Sequence, residues 1–142
     1  MTRGEIVSAA RSWIGTPYLH QASLKGVGCD CLGLLRGVWR EVVGPEPETP
    51  GPYSADWAEA QAREALAEAA LRHFIPVLIG PAKPGDVLLF RWRAGLPAKH
   101  VGVLATTDTM IHAHDGAVVT EAALAHWRRR IALIFQFSGV TD

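Results

Sequence analysis

The chain has no run of 18 apolar residues, so it offers no candidate membrane-spanning helix. It has no net charge either: 14 Lys and Arg balance 14 Asp and Glu. That balance argues against an electrostatic nucleic-acid binder, and the missing apolar run against membrane insertion. Only two cysteines occur, Cys29 and Cys31, one residue apart. A bridge across one residue is strained, and 142 residues can build a core without one, so both thiols are expected to be reduced. No internal repeat or low-complexity tail is visible. The first residues lack the continuous apolar core of a secretory signal, because Glu5, Ser8, Arg11 and Ser12 interrupt it. Synthesis and folding in the cytoplasm are therefore expected.

What is present is an ordinary globular composition, 49% hydrophobic and 20% charged, of a length that suits one domain over residues 1–142. Met1–Ile14 reads as an amphipathic helix opened by a Thr2/Glu5 capping box and closed near Gly15. Thr16–Gly28 reads as loop. A second helix starts near Asp30, with Leu34, Leu35, Val38, Trp39 and Val42 at helical spacing, and ends at Gly44. The proline-rich stretch Gly44–Pro52 reads as an exposed connection. A third helix is expected over Asp56–Phe74, capped by Ser54 or Asp56. The second half reads as strands at Asp86–Trp92, His100–Ala105, Met110–His114, Val118–Thr120 and Arg130–Phe137, joined by turns. Helices first and hairpin-linked strands second predict an α+β domain, its core between the second helix and an antiparallel sheet.

The stretch Gly28-Cys29-Asp30-Cys31-Leu32-Gly33 places Cys31 at a helix start. Free backbone N–H groups and the helix dipole there favour a thiolate, the nucleophilic form of cysteine, and donors for an oxyanion. Gly33 is expected to leave room for a substrate backbone. A thiolate needs a base, and His100 is the best candidate, at the start of a strand. His112 and His114 share a face of the next strand, and either is placed to orient His100. Two competing readings carry less weight. Cys29, Cys31, His112 and His114 are four potential zinc ligands, but the cysteine spacing is too short for a structural site. Trp127-Arg128-Arg129-Arg130 resembles a phosphate patch, though three arginines before a strand are more often a solvated end. Cys29 itself reads as a small core residue.

At these residues the sequence resembles the NlpC/P60 superfamily of cell-wall cysteine peptidases. The resemblance rests on ordered segments: Gly15-Thr16-Pro17-Tyr18, Asp30-Cys31-Leu32-Gly33-Leu34, Pro84–Phe90, His100-Val101-Gly102-Val103 and Met110-Ile111-His112-Ala113. It implies a papain-like fold, with N-terminal helices on a five- to six-stranded, mainly antiparallel sheet. It implies Cys31 as nucleophile, His100 as base and acid, His112 as orienter, and Tyr18, Asp30 and Leu32 around the oxyanion and substrate. The implied reaction is hydrolysis of a peptidoglycan stem-peptide amide, commonly the D-glutamyl–diamino acid bond, with no metal and no cofactor. A non-catalytic wall- or tail-binding module, or an amidase or acyltransferase, are the alternatives on the same fold. Leu32 replaces the usual Ser, and His20-Gln21-Ala22 stands where many members carry a glycine pair. The variant Gly-Thr-Pro-Tyr, His-Gln-Ala-Ser, Gly-Cys-Asp-Cys-Leu-Gly resembles the branch from tailed phages and gene transfer agents. That branch implies phage-type tail or baseplate partners and action at the periplasmic wall after assembly in the cytoplasm.

Overall fold

The computed structural model describes residues 1–51 and 64–142. Among the described residues three helices precede most of the sheet: α1 (Arg3–Arg11), α2 (Cys31–Val42) and α3 (Ala65–His73). A short hairpin, β1 (Ser23–Leu24) with β2 (Gly28–Cys29), lies between α1 and α2. The main sheet comprises β3 (Phe74–Pro76), β4 (Val87–Phe90), β5 (His100–Thr106), β6 (Thr109–His112), β7 (Thr120–Ala123) and β8 (Ile131–Phe137). Its order is β3-β8-β4-β5-β6-β7, with every neighbouring pair antiparallel. This is the α+β architecture expected from the sequence.

Local chemistry accounts for the helices. In α1 the Thr2 hydroxyl accepts the Glu5 N–H at 3.1 Å while the Glu5 carboxylate accepts the Thr2 N–H at 3.1 Å, satisfying two amides left unpaired at the helix start. Arg3 then reaches the sheet, donating to the buried Asp86 carboxylate at 2.7 Å. Asp86 also accepts the Lys83 N–H at 2.8 Å, so the turn before β4 and the first turn of α1 are tied by one paired charge. Helix α2 packs through Gly37 on Trp13, just past the end of α1: a Cβ there would lie 1.9 Å from the Trp13 ring. Helix α2 ends as Gly44, at φ 137, donates to the Trp39 carbonyl at 3.1 Å.

Alternation along the strands builds two apolar layers. Val87, Leu89, Val101, Val103, Ile111, Phe135 and Phe137 face the helices and form the main core. Leu88, Phe90, Leu104 and Met110 form a second cluster under Leu124 and Trp127. The 3₁₀ turns Leu124–His126 and Arg128–Arg130 hold those two residues there.

Some expectations are corrected. The strand expected at Val118–Thr120 is Thr120–Ala123, because Val118 and Val119 pair instead with the Gly15–Tyr18 segment, Val119 donating to the Thr16 carbonyl at 2.8 Å. Strand β3 lies where the third helix was expected to end. It is a three-residue edge strand, a position where Pro76 is tolerated. Helix α3 begins at Ala65 after Glu64, and the Asp56–Arg63 part of the expected helix, with the caps Ser54 and Asp56, lies outside the described residues.

Gly37→Ala is expected to force α1 from α2 and destabilise the protein by about 1–3 kcal/mol, the usual cost of overpacking. A urea titration followed by circular dichroism checks it.

Candidate active site

Asp30 sets the position of Cys31. It is buried, has extended backbone (φ -98, ψ -173), and caps α2 by accepting the Gly33 N–H at 2.7 Å. Its other oxygen accepts the Gln21 N–H at 2.7 Å, which binds the preceding loop to the helix start. Gln21 adopts φ 68, a left-handed conformation that a glycine takes without strain. The structure thus preserves glycine-like backbone at the point where the sequence departs from a glycine pair. Gly33 serves a different end from the one expected. A Cβ there would lie 1.8 Å from the Ala22 carbonyl oxygen, so the space belongs to the protein's own loop rather than to substrate.

Cys31, the first residue of α2, is half-buried with its thiol against the backbone on both sides of His100. Sγ lies 3.9 Å from the Lys99 carbonyl oxygen, and the Val101 N–H points to it. His100 is the first residue of β5, and its Nε2 lies 2.9 Å from Nδ1 of His112 on β6. Of the two candidate orienters, then, His112 bonds to His100. His114 is exposed, its ring 5.8 Å from each of the other two. Tyr18 donates its backbone N–H to the Ala117 carbonyl at 3.1 Å and bridges to Cys29, which hangs it between the 117–119 segment and β2. Leu32 is half-buried against the main core.

The electrostatics differ from the expected resting thiolate. Burial, with the Asp30 charge adding, pushes the Cys31 thiol up to about 12, against the pull of the Val101, Leu32 and Cys31 N–H groups. Burial, helped by His112 and His114, holds His100 well below its ordinary 6.5. Burial and His114 bring His112 down to about 4. Both halves of the pair are thus neutral at rest. The helix-end effect is present but smaller than the desolvation of a buried sulfur. The Tyr18 phenol is pushed up to about 12 by burial, then by Cys31, Asp30, Asp115 and Cys29, and remains a donor at neutral pH.

Cys29 is fully buried in the main core and reduced. Among the described residues no group of three or more His, Cys, Asp or Glu side chains is arranged to hold a metal ion. Sequence reasoning missed two aromatic neighbours of His100. Trp127 stacks on it with centroids 5.3 Å apart and Trp92 at 5.8 Å, and Trp127 also meets His112 edge-on at 5.1 Å. The available signal was Trp127 itself, beside the arginines that drew attention.

Residues 15–135 match the model of the NlpC/P60 family. The chain belongs to the NlpC/P60 family. Its fold is similar to the NlpC/p60 domain of the peptidoglycan hydrolase SagA, with a TM-score of 0.69 and 23% identity over 96% of this chain and 100% of that one. An NlpC/P60 family protein from Bacillus cereus superposes with a TM-score of 0.69 at 18% identity, covering 96% of this chain and 40% of that one. In sequence the chain is 27% identical over 138 residues to a gamma-DL-glutamyl hydrolase of Bacillus subtilis (strain 168). That match covers 96% of this chain and 30% of the relative, so the NlpC/P60 chain described here spans under a third of the length of that curated protein.

The buried neutral histidines carry a stability consequence. A histidine whose folded pKa lies below its unfolded value costs stability once the unfolded chain takes up protons that the fold refuses. Unfolding free energy is expected to fall as the pH drops from about 6.5 toward about 4, the interval spanned by His112. His112→Gln should flatten part of that slope in urea titrations at stepped pH.

Proposed function

We propose that this NlpC/P60 protein is a cysteine endopeptidase that hydrolyses an amide of the peptidoglycan stem peptide, the bond from the D-glutamyl side chain to a diamino acid. The observation that carries the reading is Cys31 at the first position of α2, its thiol against the backbone that flanks His100, whose ring is already paired to His112. Family membership and the similarity to the peptidoglycan hydrolase SagA and to a Bacillus subtilis gamma-DL-glutamyl hydrolase support the substrate class.

His100 Nε2 and His112 Nδ1 lie 2.9 Å apart; the proposed mechanism assigns the shared proton to His100 Nε2, which leaves its other ring nitrogen with a lone pair. That nitrogen takes the Cys31 proton as sulfur attacks the carbonyl carbon. Because thiol and imidazole are neutral at rest, proton transfer accompanies attack and no ion pair needs to exist beforehand. Charge gathers on the carbonyl oxygen, where backbone N–H groups at the start of α2 and the Tyr18 phenol are the donors. The tetrahedral species collapses as His100 gives its proton to the leaving amine. Water then attacks the thioester, losing a proton to His100, and the second collapse frees the carboxylic acid and returns the proton to sulfur. The steps balance with no metal or organic cofactor.

The biological setting within this proposal is a phage-type tail, where local wall cleavage opens a path for DNA delivery. Its partners are tail or baseplate proteins, and its site of action is the periplasmic wall after assembly in the cytoplasm. The support is the wording of the Gly15–Tyr18, His20–Ser23 and Gly28–Gly33 segments.

Cys31→Ala is expected to abolish release of new amines from purified peptidoglycan while leaving the circular dichroism spectrum unchanged; retained cleavage would exclude the mechanism. The wild-type thiol should react with iodoacetamide slowly at pH 7 and accelerate only in the alkaline range. Fast alkylation at pH 6 would contradict a neutral resting thiol.

A further inference from the structure

The aromatic residues beside His100 carry a charge pattern that the hydrolytic chemistry leaves unused. Trp92 and Trp127 pack against each other with centroids 5.5 Å apart, both against His100. The Arg130 guanidinium lies over both indoles, 5.8 Å from Trp92 and 6.0 Å from Trp127, and the Lys99 ammonium lies 6.0 Å from the Trp92 centroid. The segments that supply this rim, 91–100 and 126–130, hold Arg91, Arg93, Lys99, Arg128, Arg129 and Arg130 and no Asp or Glu, in a chain of zero net charge. Arg91 is paired to Glu64 and Arg128 to Asp108. Among the described residues no carboxylate pairs with Arg130.

A guanidinium stacked on an indole face keeps its edge N–H groups directed outward, in the fork that matches a carboxylate. The stack also fixes the side chain, lowering the entropy lost when an anion binds. We propose that Trp92, Trp127 and Arg130 form a carboxylate subsite beside His100, which takes a free carboxylate on the half of the substrate that departs as the amine. The assignment of the half rests on the proposed hydrolysis. His100 protonates the leaving amine, so that residue lies on the His100 side, while α2 and Tyr18 hold the acyl side. The ligand class is a peptide whose residue beyond the cleaved bond bears an unamidated carboxylate.

Two stem peptides identical except for a carboxylate or a carboxamide on that residue test the subsite, by calorimetry on Cys31→Ala protein. The free acid is expected to bind about tenfold more tightly, the value of one charge-assisted contact. Arg130→Gln should remove the difference, and Arg128→Gln, at an arginine already paired to Asp108, should retain it. Equal binding of the two peptides, absence of binding, a preference that survives Arg130→Gln, or one lost equally in Arg128→Gln would each overturn the subsite. Hydrolysis by wild-type protein is read in parallel. A binding preference with neither peptide cleaved upholds the subsite and defeats the hydrolase reading; cleavage without preference does the reverse.

Discussion

The site depends on one juncture, the first turn of α2 docked against the first residues of β5. A thiol is useful there only if the helix start is held in register with the strand, and the hold comes from a buried carboxylate. Asp30 binds the Gly33 N–H on one side and the Gln21 N–H on the other, both at 2.7 Å. The Ala22 carbonyl closes on Gly33 so tightly that no side chain fits between them. These contacts leave the cysteine few degrees of freedom, and its sulfur comes to rest beside the Lys99 carbonyl and the Val101 N–H. Helix, loop and strand are thus fixed by short polar contacts at the place where Cys31 and the start of β5 meet, the kind of support that pre-organises a site.

Burial works against the intuitive picture of an activated thiolate. The helix end offers N–H groups to sulfur, yet desolvation and the adjacent Asp30 charge outweigh them. The same burial keeps His100 and His112 neutral. Burial thus favours the neutral form of the thiol and of both imidazoles. In the proposed hydrolysis, charge is created only during reaction, with the α2 N–H groups and the Tyr18 phenol as its donors. Trp127 stacks on His100 and lies edge-on to His112, which adds to the burial of the ring pair.

Much of this was legible in the sequence, for identifiable reasons. The capping box of Thr2 and Glu5 and the helical spacing after Asp30 are local signals that tertiary packing left intact. Cys31 and His100 were legible because each sits at the first residue of its element, where short motifs describe the backbone well. The choice between His112 and His114 was not, since both share a strand face and only the β5–β6 register decides it. Strand β3 was hidden because Phe74–Pro76 has neither the length nor the alternation of a strand and exists through β8 alone. The role of Gly33 was hidden because its neighbour, Ala22, lies in a loop whose path follows from the unusual Gln21 backbone. The upward push on the Cys31 thiol was not legible, because helix position is readable from sequence and burial is not.

The central claim is that His100 rests as a neutral imidazole protonated on Nε2, with its other nitrogen open toward Cys31. Nitrogen-15 NMR of histidine-labelled protein at pH 7 tests it directly, because the two ring nitrogens and the two tautomers have distinct shifts. The account predicts a protonated Nε2 and an unprotonated Nδ1 for His100. A signal with Nδ1 protonated, whether the opposite tautomer or a full imidazolium, would contradict it.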